Sequence, residues 1–274
     1  MEVPIKTLHL FEPLEQKLIE LLKSLSEEEW KKPTLARLWS VKDIAAHLLD
    51  TQLRALALST NYAGDPPQKI NSYQDLVDYL NQLNADWVKA MSRVNPETLI
   101  ILLEQTQKLY ITYLHTLEPF DRAPFSVAWA GEEESYNWFH LAREYTERWH
   151  HQQQIREAVN KHGIMNREFF FPLIQTFMMA LPHTYRNCAA KNETVVKVII
   201  TGEAGGEWQI QFQNQQWKFT DSKVEPVTTI TLSPDTSWKL FTKALSKEEA
   251  TERLIITGNK ELGQPIFGMT SVMA

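Results

Sequence analysis

The sequence predicts two domains: an all-α four-helix bundle, then a small α+β domain with an antiparallel or mixed sheet. Three observations carry this. Residues 10–162 hold long stretches of helical apolar periodicity. Only Gly64, Gly131 and Gly163 precede residue 190, while six of the nine glycines follow it. Beyond residue 194 the chain reads as short β-branched or alternating runs bounded by turn residues. The polar segment 187–193 is the expected linker between a bundle over 1–186 and a sheet domain over 194–274.

Each element has its own signal. Leu14, Leu18, Leu21, Leu22 and Leu25 form one stripe of a helix over 10–28. Ser40 reads as an N-cap, with Asp43 as the capping-box acid, opening a helix over 41–60. Asp65-Pro66-Pro67 breaks the chain. Ser72 then caps a helix over 73–94, and Asn95-Pro96-Glu97 starts another that runs to about 118. After an irregular aromatic stretch, a long helix over 135–162 is expected to stop at Gly163, and one over 167–186 to break or kink near Pro172 and Pro182. Strands are expected at 195–200, 208–212, 217–219, 227–232 and 254–257, with helices over 234–245 and from about 260.

Composition excludes several function classes. Lys+Arg is 28 and Asp+Glu 34, a net charge of −6, so nothing attracts the chain generally to nucleic acid or an anionic membrane. No apolar run approaches the ~20 residues that cross a bilayer. The start carries no secretory pattern, so the cytoplasm is the expected compartment. Cys188 is the single cysteine, which leaves no internal disulfide and no thiolate-rich zinc site. It also has no histidine partner by spacing and reads as a linker residue rather than a catalytic thiol. A metal would therefore fall to nitrogen and oxygen donors. The eight histidines, at 9, 47, 115, 140, 150, 151, 162 and 183, all lie in the first two-thirds of the chain.

Three helical places concentrate such donors. His47 sits in the second turn of its helix among Ile44, Ala45 and Leu48, and by itself reads as a core histidine held by a hydrogen bond. Glu147 and His151 are four apart, so both project from one helical face and can reach one divalent ion. The same pair on a solvated polar face would be incidental. His150, about 100° from His151 around the helix, is expected to point elsewhere. His140 and Glu144 repeat the four-residue spacing and read as surface or outer neighbours of a site. Trp39, Trp129, Trp138 and Trp149 could wall a pocket but read first as core. Arg156 could meet a carboxylate substrate, although pairing with a surface acid such as Glu157 is the simpler expectation.

Trp39-Ser40-Val41-x-Asp43-Ile44-x-x-His47, followed a hundred residues on by Glu147-x-x-x-His151-x-x-Gln154-Ile155-Arg156, resembles the DinB/YfiT-like metalloenzyme superfamily of four-helix bundles. The Glu at the first later position resembles the mycothiol-dependent maleylpyruvate isomerase branch, which also carries a C-terminal domain similar to sterol carrier proteins. Gly202-x-x-Gly205-Gly206-x-Trp208, Pro234-Asp235-x-x-Trp238-Lys239-Leu240 and Ile255-Ile256-Thr257-Gly258-Asn259-Lys260-Glu261-Leu262 fit that tail.

The resemblance implies metal ligands His47, Glu147 and His151, with Trp39, Gln154 and Arg156 as outer or substrate contacts. Two imidazoles and a carboxylate suit Zn²⁺ first, Ni²⁺ or Fe²⁺ next, and leave one position open. It also implies a low-molecular-weight thiol that adds to an activated alkene, lets it rotate and leaves, and a small-molecule substrate. The expected function is thus a metal- and thiol-dependent isomerase or S-transferase. The alternatives are a metal-dependent hydrolase and a non-catalytic protein that binds a metal and a small ligand. The sequence leaves the oligomeric state open.

Overall fold

The computed structural model describes residues 1–60, 62 and 70–272; the expected break at Asp65-Pro66-Pro67 lies outside the described residues. Helices come first and a five-stranded mixed sheet follows. By their contacts the residues form two compact units, one of 8–118 with 147–163, the other of 1–7, 119–146 and 164–272.

The helical unit contains α1 (Phe11–Lys23), α2 (Glu27–Trp30), α3 (Val41–Ser59), α4 (Tyr73–Met91), α5 (Pro96–Leu114) and the latter part of α6 (Asn137–Val159). The stripe expected to continue to 28 ends at Lys23. Ser26 then opens α2 with its own capping box, its hydroxyl accepting from Glu29 N–H while Glu29 accepts from Ser26 N–H. Helix α3 packs against α4 and α5, and α1 against α5. Leu18, Leu22, Ile44, Leu48, Leu99, Leu103, Ile155 and Val159 meet in one apolar core. Trp87 Nε1–H donates to the Ala46 carbonyl at 2.8 Å, joining α4 to α3.

Helix α6 stops earlier than Gly163. Asn160 takes the left-handed conformation (φ 55°), its N–H reaches the Glu157 carbonyl at 3.2 Å, and Lys161 N–H reaches the Arg156 carbonyl at 3.0 Å. This is a Schellman ending with Asn in the place glycine usually takes. Gly163 has a different role: a Cβ there would stand 2.8 Å from Arg156 Nη1.

In the second unit the sheet order is β3 (Gln216–Phe219), β2 (Gly206–Gln213), β1 (Val195–Ile200), β4 (Thr228–Leu232), β5 (Ile255–Gly258). Only β1 and β4 run parallel, with Val198 opposite Ile230; the other pairs are antiparallel. Val196, Val198, Ile200, Ile210, Ile230, Leu232 and Ile256 are buried on one face, as period-two alternation requires.

Helix α7 (Arg167–Met178) contains Pro172, and Pro182 opens the separate α8 (Leu181–Thr184). The expected helix over 234–245 is α9 (Pro234–Phe241), followed by the unforeseen α10 (Lys247–Thr251), capped by Ser246. Helix α11 (Lys260–Gly263) and a 3₁₀ turn close the domain. The compact units do not follow the linear division at 187–193, because α7 packs on α9 and α8 on β3, which places them with the sheet. Among the described residues no helix is long and apolar enough to cross a membrane.

Ile230 is fully buried in an interior strand, whereas Ile255 on the edge strand is 63% exposed. Ile230→Ala is therefore expected to cost about 2–5 kcal/mol and Ile255→Ala less than about 0.5 kcal/mol, as read from urea-unfolding midpoints.

Candidate metal centre

Two helices of the helical unit build the site. Helix α3 begins at Ser40, whose backbone N–H donates to Asp43 Oδ2 at 2.9 Å while Asp43 N–H returns to the Ser40 hydroxyl at 3.4 Å. That capping box fixes the first turn, and His47 follows one turn after Asp43, only 6% exposed.

Helix α6 is set by a buried polar network. Arg148 Nη1–H donates to the Leu48 carbonyl of α3 at 2.7 Å, and its Nε lies 3.4 Å from Glu15 Oε1 of α1, both side chains 2% exposed. Its guanidinium also lies over the Tyr110 ring of α5 at 4.8 Å. Glu15 accepts in turn from Gln52 Nε2 at 3.1 Å, and Gln52 accepts from Thr106 of α5. Burial pushes the Glu15 carboxyl up, and Arg148 opposes the shift. One turn on, Gln152 Nε2–H donates to the Leu14 carbonyl at 2.9 Å.

With Arg148 and Gln152 turned inward toward α1 and α3, the helical rotation of about 100° per residue brings Glu147, His150 and His151 onto one neighbouring face. Donor atoms of these three lie within 4.8 Å of one another. Glu147 Oε2 stands 3.6 Å from His151 Nε2 and 3.9 Å from His150 Nδ1. The His47 ring lies 4.7 Å from that of His151, and the Trp39 ring 4.8 Å from His47 and 6.0 Å from His151. The expected residues His47, Glu147, His151 and Trp39 are thus brought together.

The donor set fits a divalent ion. The Glu147–imidazole separations are too long for hydrogen bonds. They approach the ~3.3 Å edge of a tetrahedron whose ligands stand ~2.0–2.1 Å from zinc. His151 Nδ1 lies 2.9 Å from Gln154 Oε1, so a donating Nδ1–H leaves the Nε2 lone pair toward Glu147. Burial chiefly, then the neighbouring His150 and His47, hold the His151 imidazole well below its usual pKa, in the neutral form a ligand requires. Gln154 is thereby placed directly against His151.

Several expectations differ from the structure. His150 does not point away. It is 4% exposed, and its ring centroid lies 3.9 Å from that of His151. Adjacent residues are about 100° apart, but positions three and four beyond Glu147 flank it at about −60° and +40°. Arg156 is neither at the surface nor at the ligand face. It is buried, bonding Gln152 Oε1 and the carbonyls of Lys17, Lys161 and His162, so it seals the end of α6.

His140 is likewise buried. Burial, aided by Arg143, pushes its pKa down to about 4; Arg143 Nη2 lies 2.9 Å from its Nδ1 and 2.8 Å from Glu144. That trio is arginine-centred and belongs to the other compact unit. Trp129 and Trp138 pack on Phe139, and Trp149 is fully buried. Burial raises the pKa of the Cys188 thiol, the opposite of nucleophile activation. Glu15, Gln52 and Arg148 are missed by sequence reasoning; the one available signal is a glutamate beside the Leu14–Leu18 stripe.

Residues 11–156 match the model of the mycothiol maleylpyruvate isomerase N-terminal domain family. Two solved structures share the fold. A crystal structure of a mycothiol-dependent maleylpyruvate isomerase is 11% identical with TM-score 0.56, and a histidine-to-alanine mutant of such an isomerase is 10% identical with TM-score 0.57. Each alignment covers 94% of this chain and 93% of the other. No curated protein matches the sequence.

Arg148→Met strands a buried carboxylate and is expected to destabilise the chain by about 3–5 kcal/mol. Adding Glu15→Leu removes the stranded charge and should restore much of that loss in urea unfolding. Equal stability of the single and double variants would contradict the pairing.

Proposed function

Since the chain belongs to the mycothiol maleylpyruvate isomerase N-terminal domain family, we propose that it is a divalent-metal-dependent enzyme that uses a low-molecular-weight thiol to isomerise a small substrate. In this reading His47, Glu147 and His151 hold the ion, and Zn²⁺ suits them best. The observation that carries the reading is the Glu147–His151 pair, separated by 3.6 Å, with His151 buried and the His47 ring against it. When bound, the metal supplies a Lewis-acidic position that lowers the pKa of a thiol or water, and the thiol supplies a nucleophile able to add to an alkene and leave it.

The chain's own side chains do the rest. Glu147 brings the single negative charge, so the pair of imidazoles and one carboxylate leave a divalent ion net positive and receptive to a thiolate. Gln154 fixes the His151 tautomer and ring plane. Trp39 covers the two histidines with an apolar ring, which limits water beside them. Arg156 is fully engaged in closing the helix and leaves substrate recognition to other groups.

Protein purified without chelators is expected to carry one zinc per chain, and His151→Ala to lose it. A metal content unchanged by that substitution would sink the assignment. Gln154→Leu should weaken zinc binding by about 10–100-fold in chelator competition while leaving the fold intact. Assayed with maleylpyruvate and mycothiol, an isomerase returns its thiol and sustains many turnovers on a sub-stoichiometric amount. Consumption of one thiol per turnover marks an S-transferase, and turnover without thiol marks a hydrolase.

A further inference from the structure

We propose that His150 is an additional protein donor to the same ion, so that the site in this chain offers four side chains rather than three. The inference rests on the metal-site reading above and extends it to a residue that the helical spacing of Glu147 and His151 does not include. Three geometric observations support it. Donor atoms of Glu147, His150 and His151 lie within 4.8 Å of one another. His150 Nδ1 stands 3.9 Å from Glu147 Oε2, the oxygen that His151 Nε2 faces at 3.6 Å. His150 is also 4% exposed, so its imidazole is withheld from water on the ligand side of the helix.

Carboxylate and imidazole donors at one position and at three and four residues beyond it present to a common point from a single turn. The His47 ring of α3 lies 4.7 Å from that of His151, and the metal-site reading above counts it as a donor. Four donors bind a tetrahedral ion more tightly than three and leave no coordination position free. An exogenous thiol would then reach the ion by displacing a protein donor. His150 is the natural one to yield, because its distance to Glu147 is the longer of the two.

The test compares the full-length wild-type chain with His150→Ala and His150→Phe, each loaded with zinc. The Phe variant keeps an aromatic ring against His151 but removes the donor. Zinc K-edge absorption should count one imidazole fewer in both variants, three falling to two, and both should bind zinc more than about 100-fold more weakly. That exceeds the loss attributable to an orienting neighbour. An imidazole count equal in all three proteins, or a His150→Phe variant that binds zinc as tightly as wild type, overturns the proposal and leaves the three-ligand site standing. A wild-type chain that binds no zinc overturns both. The spectrum of the wild type alone, with two imidazoles instead of three, is equally decisive should the Ala variant not fold.

Discussion

The buried ion pair between Arg148 and Glu15 is the constraint on which the helical unit turns. Two charges withdrawn from water are costly unless each finds further partners, and here they do. Arg148 also bonds the Leu48 carbonyl and lies over Tyr110, while Glu15 accepts from Gln52. Four helices, α1, α3, α5 and α6, are thereby joined through one network. Because a carboxylate and a guanidinium can be satisfied here in few orientations, the network fixes the rotation and the axial position of α6 more narrowly than apolar packing would. Leu48, whose carbonyl Arg148 grips, is the residue after His47. The bond that orients the ligand face of α6 is therefore anchored beside the one candidate ligand that comes from α3.

Much of this was legible. The Ser40–Asp43 capping box, the Pro-initiated α5 and α9, and the alternation of the strands are local, so the chain declares them without tertiary context. The Glu147–His151 spacing is legible for the same reason. His47 is different, because its link to that pair spans a hundred residues, and only the resemblance connected them. What stayed hidden depends on which side of a helix is covered. Arg156 beside Glu157 reads as a surface pair, yet its guanidinium closes three carbonyls from two segments. Glu15 reads as a solvated neighbour of Leu14, yet its partner lies 133 residues away. His150 was misplaced by measuring its angle from His151 rather than from Glu147, which stands between them.

The compact units also show why a linear boundary is hard to read. Helix α6 is a single run of hydrogen-bonded turns, but its residues up to Thr146 and those from Glu147 onward belong to different units. Composition changes near residue 190, shortly before the sheet begins at Val195. Contacts change where side chains find partners, and those need not coincide. The glycine bias marked the sheet correctly while saying nothing about α7 and α8, whose apolar faces are covered by α9 and β3.

Residues 148–156 read Arg-Trp-His-His-Gln-Gln-Gln-Ile-Arg, and every one is buried. A helix covered on all sides is ordinarily apolar all round, and replacing buried polar networks with apolar side chains often raises stability. Selection for the fold alone would thus favour leucine at several of these places. Several of these polar groups, with the half-buried Glu147 before them, divide into two sets. Arg148, Gln152 and Arg156 spend their hydrogen bonds on carbonyls and side chains of the surrounding helices, and so account for themselves structurally. Glu147, His150 and His151 gather donor atoms within 4.8 Å of one another, with Glu147 Oε2 3.9 Å from His150 Nδ1 and 3.6 Å from His151 Nε2. The first set makes the second affordable, by holding a hydrophilic helix in the interior at a fixed rotation. In the proposed function, the second set is the one that would hold the ion.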